Sequence, residues 1–250
     1  MKYWQNIKES SLITFKILLF NFLATLIISS FYITTTNEIR FVSSIYLTIA
    51  LISNSLMIYL VLGILFFLIS ALSPFKKVIK VFSILFFSLL HFINLADVFQ
   101  FSLFKYHING MVINQFTAFL QGESDSVTLG FGTILAGILL ILLVLGYQWI
   151  VMILISKTKN FNVKKVTKYA VICTCLFIMA DKSWYAVADL SDNVLIMGYR
   201  DLFPFYQPMT IKRTARKFGY KDNRENFKIS RSNSRLNYPL KELEFEEILE

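Results

Sequence analysis

Between Phe41 and Leu72 the chain runs 32 residues without one Asp, Glu, Lys or Arg. No other stretch limits the possible folds so tightly. About 20 apolar residues in a helix already cross the hydrocarbon core of a bilayer. A run this long therefore predicts a transmembrane helix that tilts or projects beyond the membrane. The remaining composition agrees. The chain is 56% hydrophobic and 16% charged, with 25 phenylalanines, whereas about a quarter of the residues of a soluble domain are charged. The expected fold class is an all-α membrane protein.

Four further apolar runs give five expected spans: Leu12–Ile33, Phe41–Leu72, Val81–Leu95, Leu129–Ile155 and Tyr169–Tyr185. The first is long and has no small-x-small cleavage site, so it is expected to remain as an anchor rather than be removed as a signal peptide. Lys16 lies one turn inside it and is expected to snorkel back to the near interface. Ser73–Lys80, with Pro74 as breaker, separates spans two and three, and Asp97–Thr128 reads as amphipathic rather than spanning. Two parts result: a five-span domain over residues 1–190 and a polar, basic tail over 191–250, whose Ser230–Asn237 has the composition of a linker.

The lysines fix an expected orientation. They crowd the N-terminus, the turn holding Lys76, Lys77 and Lys80, and the loop holding Lys157, Lys159, Lys164, Lys165 and Lys168. The other connections carry Arg40 and Lys105 against Glu38, Asp97, Glu123 and Asp125. The positive-inside rule puts the lysine-rich side in the cytoplasm. Five crossings then put the C-terminal tail on the far side of a plasma or inner membrane.

In that tail, Phe203–Gly219 reads FPFYQPMTIKRTARKFG. Lys212, Arg213, Arg216 and Lys217 fall at i, i+1, i+4 and i+5 and share one side of a helix. Ile211, Ala215 and Phe218 form an apolar stripe beside them. Pro208 suits a first helical turn and Gly219 a position just past the last. This is the make-up of a short interfacial helix that turns cations toward anionic headgroups. Between Thr210 and Arg235 nine Lys/Arg face two acids, Asp222 and Glu225; the sign then reverses at Glu242, Glu244, Glu246, Glu247 and Glu250.

Other chemistries find little support. The chain has no GxSxG, P-loop, HExxH, zinc-finger or helix-turn-helix pattern, so neither a metal, a cofactor nor nucleic acid is expected. His91 is read as a structural histidine bonded to a neighbouring helix, with a proton-relay role as the alternative. Interfacial exposure is the simpler reading of Asp97 and Asp181; pairing with Lys105 or Lys182 is the other. Cys173 and Cys175 point different ways on one helix and predict no disulfide. Gly130, Gly132 and Gly137 read as helix-packing positions. A transporter would need paired polar positions at mid-membrane, and spans four and five offer almost none.

The run FPFYQPMTIKRTARKFG, followed by LNYPLKELEF (Leu236–Phe245), resembles the segment that leaves the membrane in the YejM/PbgA family of Gram-negative inner-membrane proteins. Pro208, Met209, Thr210, Lys212 and Arg213 fit that family's P-M-T-x-[RK]-R pattern, with Lys212 where arginine is usual. Ala96–Asn114 is similar to its loop between spans three and four. The resemblance implies five spans, an outside C-terminus and a basic helix that binds the lipid A part of lipopolysaccharide on the periplasmic face. It further implies control of lipopolysaccharide synthesis through the assembly protein LapB; cardiolipin delivery is a second role proposed for the family. Arg216 and Lys217 join the site by helix geometry alone. The family continues after Y-P-L-x-E-L into a sulfatase-like domain, whose first strand would begin where this sequence ends at Glu250. Recognition rather than catalysis is therefore the expected function. The alternatives are the anchor portion of a sulfatase-like lipid-headgroup hydrolase or transferase, or a cardiolipin transport protein.

Overall fold

The computed structural model describes residues 2–36, 40–73, 75–121, 131–158 and 163–220. Glu38, Pro74, Glu123, Asp125, Gly130, Lys159 and the tail from Lys221 onward, including its charge reversal and linker, lie outside the described residues. All regular structure among the described residues is helical: α1 (Lys2–Thr34), α2 (Phe41–Leu72), α3 (Lys76–Phe104), α4 (Gly110–Leu120), α5 (Phe131–Lys157), α6 (Val163–Leu190), α7 (Val194–Met197), a 3-10 turn (Gly198–Asp201) and α8 (Lys212–Lys217). Five of these, α1, α2, α3, α5 and α6, are long and apolar enough to cross a membrane. The protein is thus an all-α, multi-pass membrane protein.

Three of the helices, α1, α3 and α6, overrun their apolar runs at both ends. The third span was expected over Val81–Leu95, yet α3 starts at Lys76 and continues to Phe104. Helical hydrogen bonding continues where the apolar pattern stops, because polar side chains at headgroup level oppose burial in hydrocarbon but not helix formation. The same holds for α1, which begins in the polar segment at Lys2.

Chain Met1–Thr210 forms one compact unit. Within it α1 packs against α2, α3 and α5, while α6 lies along α2. The neighbours approach through small side chains. Ser10, Thr14, Thr25, Ala50, Ser53, Ser55, Ser70 and Ser83 are all buried, as befits membrane helices, which associate by close packing rather than by a hydrophobic drive. A Cβ placed on Gly63 would sit 3.9 Å from Leu18 Cδ1, so this is a packed glycine. Gly132 and Gly137, expected to be packing positions, would meet nothing within 4 Å. The leucines and isoleucines around them on α5 are largely exposed, as suits a helix surface turned to lipid.

Two buried clusters run along the bundle. One holds Ile17, Leu18, Tyr59, Phe66, Ile79, Phe87, Val151 and Ile155. The other, at the end where α1, α3 and α6 finish, holds Tyr32, Tyr46, Leu47, Phe101, Tyr185, Ile196, Leu202, Phe203 and Tyr206. The second cluster takes residues from beyond α6 into the bundle, so the exit segment is part of the packed core.

Polar side chains cross-link the spans. Lys16 is 4% exposed and donates to the Thr158 carbonyl at 2.9 Å. Its ammonium meets a carbonyl just past the end of α5, at the negative end of that helix's dipole. Asn21 Oδ1 accepts from His91 Nε2 at 2.9 Å and from Gln148 Nε2 at 2.7 Å, joining α1, α3 and α5. His91 is thus bonded to a neighbouring helix, as read from the sequence. Asn21→Leu is expected to cost about 1–2 kcal/mol, because both donors lose their acceptor. Changing all three residues to apolar ones of similar size should recover most of that loss. Thermal unfolding in detergent measures the difference, and a triple variant no better than Asn21→Leu would reject the account.

Candidate functional site

The geometry of the exit from the membrane is set by two buried carboxylates. Asp181 on α6 is fully buried. Its Oδ2 accepts from Ser53 Oγ of α2 at 2.9 Å and pairs with Lys182 Nζ at 2.8 Å. Its Oδ1 accepts from the Tyr206 hydroxyl at 2.7 Å, and Tyr206 in turn lies 3.0 Å from the Tyr46 hydroxyl. Burial, followed by the neighbouring Tyr46 hydroxyl and Asp181 carboxylate, pushes the pKa of Tyr206 far above its ordinary value. Its proton therefore stays in place as the donor to Asp181.

The turn that carries Tyr206 is fastened on both sides. Asn54 of α2 donates to the Pro204 carbonyl at 3.0 Å, and Lys182 donates to the Gln207 carbonyl at 2.8 Å. Lys182 Nζ also lies 4.3 Å from the Tyr206 ring centroid. Between these bonds Phe205 takes a left-handed backbone, φ 60°, with its ring 84% exposed. That conformation is uncommon for a bulky residue. Here it lets Phe203 and Tyr206 both enter the core while Phe205 faces outward.

Asp97 organises the α3 end. The Tyr32 hydroxyl donates to its Oδ2 at 2.5 Å, the Ile108 backbone N–H to its Oδ1 at 2.5 Å, and His107 Nδ1 sits 2.7 Å from Oδ2. His107 Nε2 bonds the Asp201 carbonyl at 3.1 Å, and its ring stacks on Phe101 with centroids 4.7 Å apart. The simpler expectation for Asp97 and Asp181, interfacial exposure, is therefore incorrect. Both are buried because enough donors converge on each to replace water. The partner of Asp97 is His107, not Lys105; Asp181 does pair with Lys182.

The expected lipid-contacting residues follow this anchored turn and fall in two units. Pro208, Met209 and Thr210 close the bundle unit in irregular backbone. Pro208 is thus not in a first helical turn; the helix starts four residues later, at Lys212. Lys212, Arg213, Arg216 and Lys217 belong to the second unit, which begins at Ile211. They supply four of the six residues of α8. Arg213, Arg216 and Lys217 are exposed, and Lys212 is half-buried. In the apolar stripe, Ile211 and Ala215 are half-buried while Phe218 is 87% exposed.

The end of α8 is as read from the sequence. Gly219 has φ 89°, its N–H meets the Arg216 carbonyl at 3.2 Å, and the Tyr220 N–H meets the Ala215 carbonyl at 3.1 Å. This is a Schellman ending, whose left-handed residue is easiest for glycine. A cationic helix end also suits Arg216 and Lys217 beside the negative pole of the helix.

Sequence reasoning missed the partners Tyr32, His107, Ser53 and Tyr206. The available signal was an acid placed inside or beside an apolar helix, which calls for nearby donors. Cys173 and Cys175 are free and exposed, with no disulfide between them.

Together these features define a five-span membrane domain whose exit strand is locked to the bundle by buried carboxylates and leads into a short cationic helix. By sequence comparison, the chain belongs to the family described as a domain of unknown function, DUF3413, which matches residues 2–245. No curated protein matches it.

Proposed function

We propose that this protein is a bacterial inner-membrane receptor for the lipid A part of lipopolysaccharide and a regulator of outer-membrane lipid homeostasis. The observation that carries the reading is the cluster of four cations on α8, three of them exposed, which comes next in the chain after an exit segment fixed to a five-helix bundle. Phosphates are the natural partners of such a cluster. Arg213 and Arg216 supply planar guanidinium forks that bind two phosphate oxygens at once, and Lys212 and Lys217 add point charges. Resemblance to the YejM/PbgA family through Pro208, Met209, Thr210, Lys212 and Arg213 directs the choice to lipid A. The lysine bias of the loops supports a cytoplasmic N-terminus and a periplasmic tail. On this reading the spans offer a surface to a protein partner such as LapB, and the chain recognises lipid rather than transforming it.

The test is Lys212→Ala together with Arg213→Ala. Each cation near an anionic surface contributes about 1 kcal/mol, so the pair should weaken lipid A binding in nanodiscs roughly thirtyfold. Membrane insertion and melting temperature should not change, since neither residue belongs to the bundle unit. Unchanged lipid A affinity would reject the site.

A further inference from the structure

A cavity opens at the end of the bundle where α1 and α3 finish. Its volume is about 490 Å³, and it lies between Thr35, Thr36 and Lys105 on one side and Val194, Gly198 and Tyr199 on the other. Thr35, Thr36 and Lys105 directly follow the membrane-crossing parts of α1 and α3, so the cavity opens at the level of lipid headgroups. Its size is in the range of small-ligand sites.

The chemistry of its walls is two-sided. Phe101, Val194, Leu195 and Leu202 provide apolar surface. The ammonium of Lys105 stands at the polar side, with one N–H given to the Thr35 carbonyl at 2.8 Å. An ammonium has three N–H donors, so capacity remains for an anion. The acid in the lining, Asp201, is already in an ion pair with Arg200 at 3.1 Å. With Asp201 offset by Arg200 from outside the lining, Lys105 is the cation the cavity presents to a ligand. Its position is fixed by the backbone: Lys105 ends α3 in a left-handed conformation, φ 61°, and its N–H caps the Phe101 carbonyl at 2.9 Å.

We infer that this cavity binds the phosphate of one glycerophospholipid from the surrounding leaflet, with Lys105 on the phosphate and the acyl chains leaving over Val194 and Leu195. A lipid fits better than a soluble phosphate ester because the polar and apolar walls meet at headgroup depth. The site would let the protein carry a resident phospholipid in addition to lipid A.

Gly198 gives a direct probe. Its backbone is ordinary right-handed helix, φ −65°, and a Cβ there would meet nothing within 4 Å. Gly198→Trp can therefore fill the cavity from within without straining the chain. The delipidated full chain in mild detergent would be titrated with dioctanoyl phosphatidylglycerol and followed by native mass spectrometry. One saturable lipid is expected on the unaltered protein. Lys105→Glu and Gly198→Trp should each weaken that binding by about tenfold or more, while Lys105→Arg retains it. Lys212→Ala with Arg213→Ala should leave it unchanged, so this site and the lipid A site fail independently. Equal lipid binding by all the variants would overturn the inference. So would displacement of the lipid by glycerol 3-phosphate at concentrations equal to its own, which would identify a soluble phosphate ester as the ligand. Melting temperatures of the variants, expected within a few degrees of the parent, confirm that any loss is of the site and not of the fold.

Discussion

Asp181→Ala is expected to lower the stability of the bundle by about 3 kcal/mol, the lower end for breaking a buried charge pair. The lower end applies because the stranded groups are not wholly abandoned: Lys182 keeps the Gln207 carbonyl and Tyr206 keeps the Tyr46 hydroxyl. Ser53 Oγ loses the bond to Asp181. For a chain of this size the loss corresponds to a fall of roughly 6–12 °C in apparent melting temperature. Removing the cation as well, in Asp181→Ala with Lys182→Met, should restore part of the loss, because the uncompensated charge is the costly remainder. The effect should be concentrated in the exit segment. Limited proteolysis between Phe203 and Thr210 should accelerate more than cleavage in the loop after α5. A melting temperature within 2 °C of the parent, taken here as roughly the resolution implied by half a kcal/mol, would show that Asp181 does not fasten the exit strand.

The fold was legible in the sequence because lipid imposes a simple rule. An uninterrupted apolar run must become a helix if it is to satisfy its own backbone in hydrocarbon, and α2 follows the run Phe41–Leu72 to the residue at both ends. Where the run is bordered by lysines, as at Lys76–Lys80, the same rule loses precision, since headgroups and water tolerate further helix. The ending of α8 at Gly219 was equally readable, because a positive φ selects glycine locally. Its beginning was not. Proline at 208 is compatible with a first helical turn, but it is equally compatible with the irregular segment found there.

What sequence could not supply was the company each polar residue keeps. Asp97 and Asp181 sit near span ends, where exposure and burial look alike in one dimension. Burial was decided by residues distant in the chain: Tyr32 lies 65 positions from Asp97 and Ser53 lies 128 from Asp181. No local pattern encodes such pairings. The glycines of α5 make the complementary point. Small residues are a general device for close helix approach, yet whether Gly132 and Gly137 serve it depends on which side of α5 the other helices occupy.

Asp97→Ala should also cost about 3 kcal/mol, since three groups, Tyr32, His107 and the Ile108 N–H, lose their acceptor. The Ile108 N–H is the least forgiving of them. It is held by the backbone and cannot turn elsewhere, whereas the Tyr32 hydroxyl can rotate. Asp97→Asn is therefore the informative variant. Its amide oxygen can still accept the Ile108 N–H, while its NH₂ faces Tyr32 and His107. The hydroxyl can turn to accept, and the imidazole can present a lone pair in one tautomer. Asn should recover about half of the alanine loss, roughly 1.5 kcal/mol. Both variants should also loosen what His107 holds. Its Nε2 is bonded to the Asp201 carbonyl, so weakening the Asp97 contact should raise amide hydrogen exchange across Val194–Asp201 before it affects the α1–α2 contact near Tyr3 and Ala71. If Ala and Asn prove equally mild, or if exchange at Val194–Asp201 does not change, Asp97 is not the residue that closes this end of the bundle.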